Sequence, residues 1–278
     1  MEFTPHDLED LKRARQLLEN PSLAARMTGK IGLPIEKAFE TLPKSWSQTV
    51  STAVRVAMGR ALDVAVMTLE RQPNRPSLDL LHTVAVAATG AVGGAFGLAS
   101  LPVELPISTT IMLRSIADIA RSEGESLEDV KTRLACLEVF ALGGRNPGDN
   151  ASETGYFAVR SLLARTISEA AQFITERGLA EKGAPVLVRM IGLIANRFGL
   201  VVSQKIAAQA VPVIGAVGGG LINTVFIDHF QDIARGHFII RRLEKVCGPE
   251  EVRRQYDLLG PAPQPGPGNG KTRGNGRH

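Results

Sequence analysis

Apolar residues recur at helical spacing along most of the chain. Over residues 46–71 they return every three or four positions, which predicts one long amphipathic helix with Trp46 packed on the main body. The same spacing predicts further helices over 5–20, 130–142, 153–177, 185–210, 220–247 and 250–259. Runs that alternate β-branched and polar residues around Asn-Gly turns, the pattern of β-hairpins, do not occur. The pattern therefore predicts an all-α fold, a multi-helix bundle.

Capping residues indicate where several helices begin and end. Thr4 precedes Pro5 and Asp7, which predicts an N-cap followed by a first helical turn. Ser126 opens a sequence that resembles a capping box before the helix at 130, and Gly143 follows that helix. A further helix is expected to start near Pro106.

Two long segments, 80–103 and 206–227, contain no Asp, Glu, Lys or Arg. Each exceeds the ~18 uncharged residues that indicate a membrane span. Their glycines and prolines argue against simple spanning, and so do the Lys+Arg counts of 11, 12 and 9 in residues 1–79, 104–205 and 228–278. Three alternatives stay open: two true spans, hairpins that insert reversibly, and a tightly crossed helix pair buried in the body.

Glycines one helical turn apart are common to both uncharged segments. Small residues at this spacing let helix backbones approach closely, in lipid or in a soluble core. We call this set the glycine seam: Gly90, Gly93, Gly94, Gly97, Gly215, Gly218 and Gly219. Together with the turns around it, the seam predicts two glycine-rich apolar helical hairpins.

Two short sequence motifs each occur twice along the chain, in the same order. Gly-Ala-Val-Gly-Gly begins at Gly90 and again at Gly215, and Asp-Ile-Ala-Arg begins at Asp118 and again at Asp232. The recurrence indicates an internal duplication of a glycine helix followed by a polar helix.

The Asp-Ile-Ala-Arg motif lies in a stripe of polar residues on each of the two predicted helices. Arg114, Asp118 and Arg121 share one helix face, and Asp228, Asp232 and Arg235 occupy the corresponding positions in the second copy. If a pseudo-twofold relates the helices, Asp118 pairs with Arg235 and Asp232 with Arg121. The alternative is a pair of Asp–Arg contacts within each helix, which contribute only a few tenths of a kcal/mol.

These residues also carry a family resemblance. The runs GAVGGAFGLASLPVELPISTTIMLRSIADIARSEGE, CLEVFALGG and PVIGAVGGGLINTVFIDHFQDIARGHFIIRRLE together resemble the EcsC protein family, over roughly residues 45–258. The resemblance implies a bacterial helical protein of a family named for a gene beside an ABC transporter operon. It implies no established reaction, so no catalytic residue is carried over.

Composition excludes several classes of protein. With 44% apolar residues and a mean hydropathy of +0.04, the chain is neither disordered nor a many-span membrane protein. Residues 260–278 hold three of the 32 basic residues and no acid, which leaves 29 basic against 28 acidic residues elsewhere, so nucleic acid is not an expected partner. The N-terminus lacks the apolar run of a signal peptide, and Cys136 and Cys247 are expected to be reduced and buried. We expect a cytoplasmic protein, peripheral at the inner membrane face.

The same patterns divide the chain into three parts. Residues 1–44 are broken by glycines and prolines and predict a helical arm. Residues 45–259 predict the all-helical domain that carries the resemblance. Residues 260–278 are rich in Pro and Gly and predict a disordered basic tail.

Candidate chemistry rests on a few acidic residues and one histidine. Glu104 lies between two prolines at the end of the first uncharged segment, where it either caps a helix or has a raised pKa suited to acid–base chemistry. Asp228, His229 and Asp232 place two carboxylates one turn apart with an imidazole beside them. No HExxH motif or acidic metal-binding loop occurs, so we expect neither a metal nor another cofactor.

Three functional hypotheses follow. The first is a non-enzymatic protein whose glycine-rich hairpins bind a membrane, a lipid or a transporter-type membrane protein. The second is a hydrolase that uses Glu104 with Asp228, His229 and Asp232. The third is a soluble homo-oligomer whose interface is the glycine seam.

Overall fold

Nine α-helices make up the part of the chain that the structure describes. The computed structural model describes residues 3–19, 23–31, 46–69, 101–144, 155–179, 183–209 and 215–259. Within these ranges there is no strand, which confirms the predicted all-α class. The helices are α1 (Pro5–Leu18), α2 (Leu23–Ile31), α3 (Trp46–Met67), α4 (Leu101–Ser122), α5 (Val130–Leu142), α6 (Gly155–Arg177), α7 (Pro185–Gln209), α8 (Gly215–Cys247) and α9 (Pro249–Leu258).

Helix α5 lies at the centre of the bundle. Every residue from Thr132 to Leu142 is buried, and the helix packs against α3, α4, α6, α7 and α8. A helix that is apolar on all faces is stable only when neighbours cover it on all sides. The buried part of α5 is apolar except at Thr132, Arg133 and Glu138, and these three polar side chains are also buried.

Four phenylalanines join α5 to α7 and α8. The ring centroid of Phe140 lies 4.9 Å from that of Phe198 and 5.4 Å from that of Phe230. Phe226 extends the cluster, with its centroid 5.2 Å from that of Phe230. Tilted and edge-on contacts at these distances contribute about 0.5–1.5 kcal/mol per pair beyond the area that they bury.

Several helix ends differ from those predicted. Helix α5 is capped by Asp129, whose side chain accepts a hydrogen bond from the Lys131 amide, so the predicted cap at Ser126 is wrong. Helix α4 begins at Leu101 and contains Pro106, so the predicted start near Pro106 is also wrong. Because Pro106 lies early in α4, its missing N–H removes a single ladder hydrogen bond, and the packing of the helix outweighs that loss.

The first two helices pack on the body of the molecule. Both α1 and α2 contact α8, and α1 also contacts α9. Thr4 is the N-cap of α1, as predicted, and it forms a capping box with Asp7. Trp46 is partly buried against the core, which confirms its predicted packing. Cys136 is buried as predicted, whereas Cys247 ends α8 and is only half-buried, so that part of the prediction is wrong.

The two uncharged segments are only partly described. Residues 80–100, with Gly90, Gly93, Gly94 and Gly97, lie outside the described residues, as does the tail from 260 onward. The segment 206–227 contains the end of α7 and the start of α8, which includes Gly215, Gly218 and Gly219. Leu221 near the start of α8 is 42% exposed, whereas the next apolar residues are buried inside the protein, namely Ile222, Val225, Phe226 and Ile227.

Candidate functional site

A buried ion pair joins the boundaries of the two uncharged segments. Glu104 follows the first segment directly, and Lys205 directly precedes the second. Nζ of Lys205 donates to Oε1 of Glu104 at 2.7 Å, and the two side chains are 1% and 7% exposed. The ammonium also lies 5.0 Å from the ring centroid of Phe226. Burial lowers the pKa of Lys205, and the neighbouring Glu104 carboxylate opposes that shift.

The structure places Asp228, His229 and Asp232 together on α8, as the sequence predicted, but gives them different partners. Nε2 of His229 donates to the carbonyl oxygen of Gly143 at 3.0 Å. Oδ2 of Asp232 accepts from Arg26 of α2 at 2.8 Å. These contacts fasten α8 to its neighbours. Among the described residues, no group of three or more His, Cys, Asp or Glu side chains has the arrangement of a metal site.

The two polar stripes lie on helices that pack against each other, α4 and α8. Asp118 accepts from Arg121 within α4, and Asp232 accepts from Arg235 within α8 at 3.3 Å. Asp232 also binds Arg26, a partner that the repeat does not predict. Arg114 lies on α4 with the first stripe. The reciprocal pairing between the stripes stays a prediction, and so does the duplication.

A buried chain of polar groups connects α5, α6 and α8. The hydroxyl of Tyr156 lies 2.9 Å from Nδ1 of His237, and Nε2 of His237 lies 3.9 Å from Oε2 of Glu138. His237 is 0% and Glu138 is 4% exposed. Oε1 of Glu138 and Nε2 of His237 have no hydrogen-bond partner within the described part of the chain. Unsatisfied polar atoms in a core are rare and call for an explanation.

Partly exposed ion pairs lie next to this buried chain of polar groups. Arg160 donates to both carboxylate oxygens of Glu244, at 2.7 and 2.6 Å. Glu125 accepts from Arg241 at 2.8 Å and lies 2.8 Å from Nζ of Lys245. Burial raises the pKa of Glu125, but these two cations and the Thr132 hydroxyl outweigh that effect and lower it to about 2. Glu125 is thus ionised and fully paired, in contrast to Glu138.

Burial gives Glu138 and His237 opposite shifts. Burial raises the pKa of Glu138 to about 7, although the positive charges of Arg160 and Arg241 lower it. Burial, reinforced by the same two arginines, holds the pKa of His237 well below its usual range. Both side chains are therefore driven toward their neutral forms.

An apolar groove lies between α3 and α7. Its volume is about 420 Å³, within the range of small-molecule sites. Apolar and glycine residues form most of its wall, and Arg55, Arg60 and Asp63 are the charged residues that line it. A Cβ atom built on Gly59 or Gly192 meets no described atom within 4 Å, so no described side chain fills the space beside either glycine. The other lining residues are Val56, Leu62, Leu187, Val188 and Ile191.

Helix α7 is the most apolar wall of this groove. By length and composition, it is the one helix in the described ranges that is long and apolar enough to cross a membrane, and the mean hydropathy of an 18-residue window in it is 1.6. A buried core helix meets the same criterion, but only 39% of its apolar window is buried. The helix therefore has a buried side and, away from the core, several half-buried apolar residues next to the exposed Val188.

The sequence pattern predicts part of this arrangement. It singles out Glu104, which proves to be half of the buried ion pair. The sequence analysis did not identify Lys205, although its position directly before an uncharged segment could have indicated it. Nor did it identify Glu138, although a single acid within the apolar run that forms α5 could have indicated that residue. The groove left no sequence signal because it depends on how α3 and α7 cross.

Comparison with known proteins gives one match. The model of the EcsC protein family matches residues 6–243. The match begins at residue 6, ahead of the resemblance at residue 45, and so includes α2 and all but the first residue of α1, and it ends at residue 243 rather than 258, before α9. No curated protein matches the sequence, and no solved structure does.

Proposed function

The chain belongs to the EcsC protein family, and we propose that it is a peripheral protein of a negatively charged membrane face that takes an apolar lipid chain into the groove between α3 and α7. The observation that carries the proposal is the groove itself. It has an apolar wall, a glycine on each side and arginines at its edge.

The groove offers uncovered apolar surface. Val56 is 45% and Val188 is 54% exposed, and both line the groove. Exposed apolar residues that cluster in a concave site indicate binding of an apolar ligand, whereas isolated ones do not. Gly59 and Gly192 keep the space between the helices open, because any larger side chain would project into it.

The charges at the groove suit a phosphate headgroup. Arg55 and Arg60 both lie on α3 and both line the groove, against one acid, Asp63. A guanidinium binds phosphate oxygens in a bidentate manner, and cations near an anionic lipid surface gain about 1 kcal/mol each. Another arginine of α7, Arg189, binds Glu169 of α6, and Arg165 binds the same carboxylate.

Helix α7 suits contact with the membrane surface better than a crossing of it. It packs against α2, α3, α5, α6 and α8, and its buried Lys205 is bound to Glu104. A helix that is held in a bundle and leaves apolar residues partly exposed can lie in the interfacial plane of a membrane.

The test is co-sedimentation of the full chain with lipid vesicles. Vesicles of phosphatidylglycerol and phosphatidylcholine should bind the protein, and vesicles of phosphatidylcholine alone should bind it at least several-fold less. Gly192→Leu fills the groove and should abolish binding. The control is Gly199→Leu. Gly199 lies on the same helix but does not line the groove, and a Cβ atom built on it also meets no described atom within 4 Å, so this variant should bind like the parent chain.

This pair of variants separates binding from stability. Replacing a mid-helix glycine by leucine favours the helix by roughly 0.5–1 kcal/mol, so both variants should unfold at or above the parent temperature. Equal binding by the two variants contradicts the groove as the lipid site. Absence of binding to every vesicle contradicts the membrane proposal as a whole.

A further inference from the structure

Glu138 and His237 present a problem that simple pairing does not solve. A carboxylate beside a protonated imidazole would be an ion pair, yet both groups are deeply buried and neither has enough partners to stabilise its charge. A neutral carboxyl group beside a neutral imidazole removes both charges and supplies the missing hydrogen bond, because the carboxyl O–H donates to Nε2. Oε2 of Glu138 and Nε2 of His237 are 3.9 Å apart, so a movement of about 1 Å brings them within hydrogen-bond distance.

We propose that Glu138 and His237 form a buried site for a single proton, which resides on the Glu138 carboxyl group and leaves the His237 imidazole neutral. This site lies in the core of the helix bundle and does not depend on lipid binding. It binds a proton from bulk water, and the residues that form it are Tyr156, His237 and Glu138.

Loss of the proton reverses the hydrogen bonds of this chain. With the proton bound, Glu138 donates to Nε2, and Nδ1–H of His237 donates to the Tyr156 oxygen, 2.9 Å away. When the proton leaves to water, the Glu138 carboxylate accepts from Nε2–H, and the Tyr156 hydroxyl donates to Nδ1. The imidazole stays neutral in both states and changes its tautomer.

Charged neighbours lie on several sides of this site, and one of them, Arg160, donates to the Tyr156 oxygen at 3.5 Å. Arg160 and Arg241 lower the pKa of Glu138 and Glu244 raises it, but burial is the larger effect. The charged and titratable groups that the neighbouring elements bring toward α5 are Arg121 on α4, Glu125 in the preceding loop, Tyr156 and Arg160 on α6, Arg197 on α7, and His237, Arg241 and Glu244 on α8. On α3, Arg55, Arg60 and Asp63 line the groove instead.

Two variants that each keep only one member of the site should show opposite dependence of their stability on pH. In Glu138→Gln only His237 titrates, and its folded pKa lies below the unfolded value of 6.5, so stability is lost as the pH falls below 6.5. In His237→Asn only Glu138 titrates, and its folded pKa of about 7 lies above the unfolded value of 4.5, so stability is lost as the pH rises from 4.5 through 7.

The parent chain should be nearly insensitive to pH over the same range. Its folded state takes up one proton on Glu138 near pH 7, and its unfolded state takes up one on His237 near pH 6.5. Because both states gain one proton at similar pH, the two effects cancel. Each member thus offsets the pH sensitivity that the other would give to the core.

The experiment is urea unfolding of the full chain at pH 5.5 and pH 8. The unfolding constant of Glu138→Gln should be roughly tenfold larger at pH 5.5 than at pH 8, and that of His237→Asn at least roughly tenfold larger at pH 8 than at pH 5.5. Glu125→Gln is the matched control: its carboxyl group has a pKa of about 2 and is ionised at both pH values, so this variant should be weakened equally at both.

A second readout tests the parent chain directly. Nitrogen NMR of the His237 ring should show the proton on Nδ1 at pH 5.5 and on Nε2 at pH 8.5. Slopes of the same sign in the two variants would overturn the proposal, as would an imidazolium form of His237 at pH 5.5. If a variant fails to fold, the NMR titration of the parent chain decides the question alone.

Discussion

At the scale of single residues, Lys205 depends on Glu104 for its charge. An ammonium that is 1% exposed has lost almost all its hydration, and the carboxylate 2.7 Å away replaces it. Lys205→Met should therefore destabilise the protein by about 3–5 kcal/mol, because it leaves the Glu104 charge buried and unpaired. The double variant Glu104→Leu/Lys205→Met removes both charges and should lose much less than the sum of the single variants.

A double-mutant cycle measured by chemical denaturation checks this coupling. Arg254 and Glu251 on α9 form a pair of nearly the same length, 2.8 Å, but Arg254 is largely exposed. Arg254→Met should change stability little, since water already screens that pair. Additive losses in the Glu104 and Lys205 variants would show that the two charges do not depend on each other.

How far the sequence predicts these sites depends on the range of the contacts. Glu104 stands out because it ends an uncharged segment, and that position is readable locally. Its partner is 101 residues away, and nothing in either segment specifies the pairing until α4 and α7 are packed. Likewise, an acid within an apolar helix indicates that Glu138 is unusual, but only the fold brings His237 to it.

At the scale of helices, Gly236 allows α1 to cross α8 closely. A Cβ atom at this position would lie 2.6 Å from Cγ of Leu18 and 2.9 Å from the carbonyl oxygen of Ala14. Gly236→Ala should gain up to about 1 kcal/mol in helix propensity but lose about 1–3 kcal/mol through overpacking. We expect a net loss of stability in thermal or chemical unfolding.

Gly199→Ala is the control for this substitution. Gly199 also lies within a helix, but its added methyl group meets no described atom within 4 Å, so the propensity gain should appear alone. A stabilised Gly236→Ala variant would mean that α1 moves away from α8 at little cost.

The elements themselves were largely predictable, whereas their ends were not. Helical spacing located α3, α6 and α7 because each has a core-facing apolar side and is 22 residues long or more. Cap positions depend on competition between nearby residues, and here Asp129 replaces Ser126. The start of α4 depends on packing that tolerates Pro106, which a propensity argument treats as a breaker.

At the scale of the whole molecule, the contacts of α1 predict that the N-terminal helices belong to the cooperative fold. The sequence predicted an arm over residues 1–44, but Nη1 of Arg15 donates to the carbonyl oxygen of Tyr256 at 2.6 Å, and Arg242 of α8 binds Asp10 at 2.8 Å. Leu11, Ala14 and Leu18 are buried against the body. The family match, which begins at residue 6, includes this helix.

Deletion of residues 1–19 should therefore destabilise the entire protein. The deletion uncovers the surface that Leu11 and Leu18 bury, which contribute about 1.5–3 kcal/mol each. It also removes Arg15, which binds the Tyr256 carbonyl, and Asp10, one of the two carboxylates that bind Arg242. A loss of about 4 kcal/mol lowers the Tm by roughly 10 °C in a protein of this size. Deletion of residues 260–278, an equal length with the composition of a disordered tail, should leave the Tm unchanged. Calorimetry of the three proteins distinguishes the alternatives: an arm that folds apart from the body would leave the main transition where it is, whereas an integrated α1 moves that transition as a single peak.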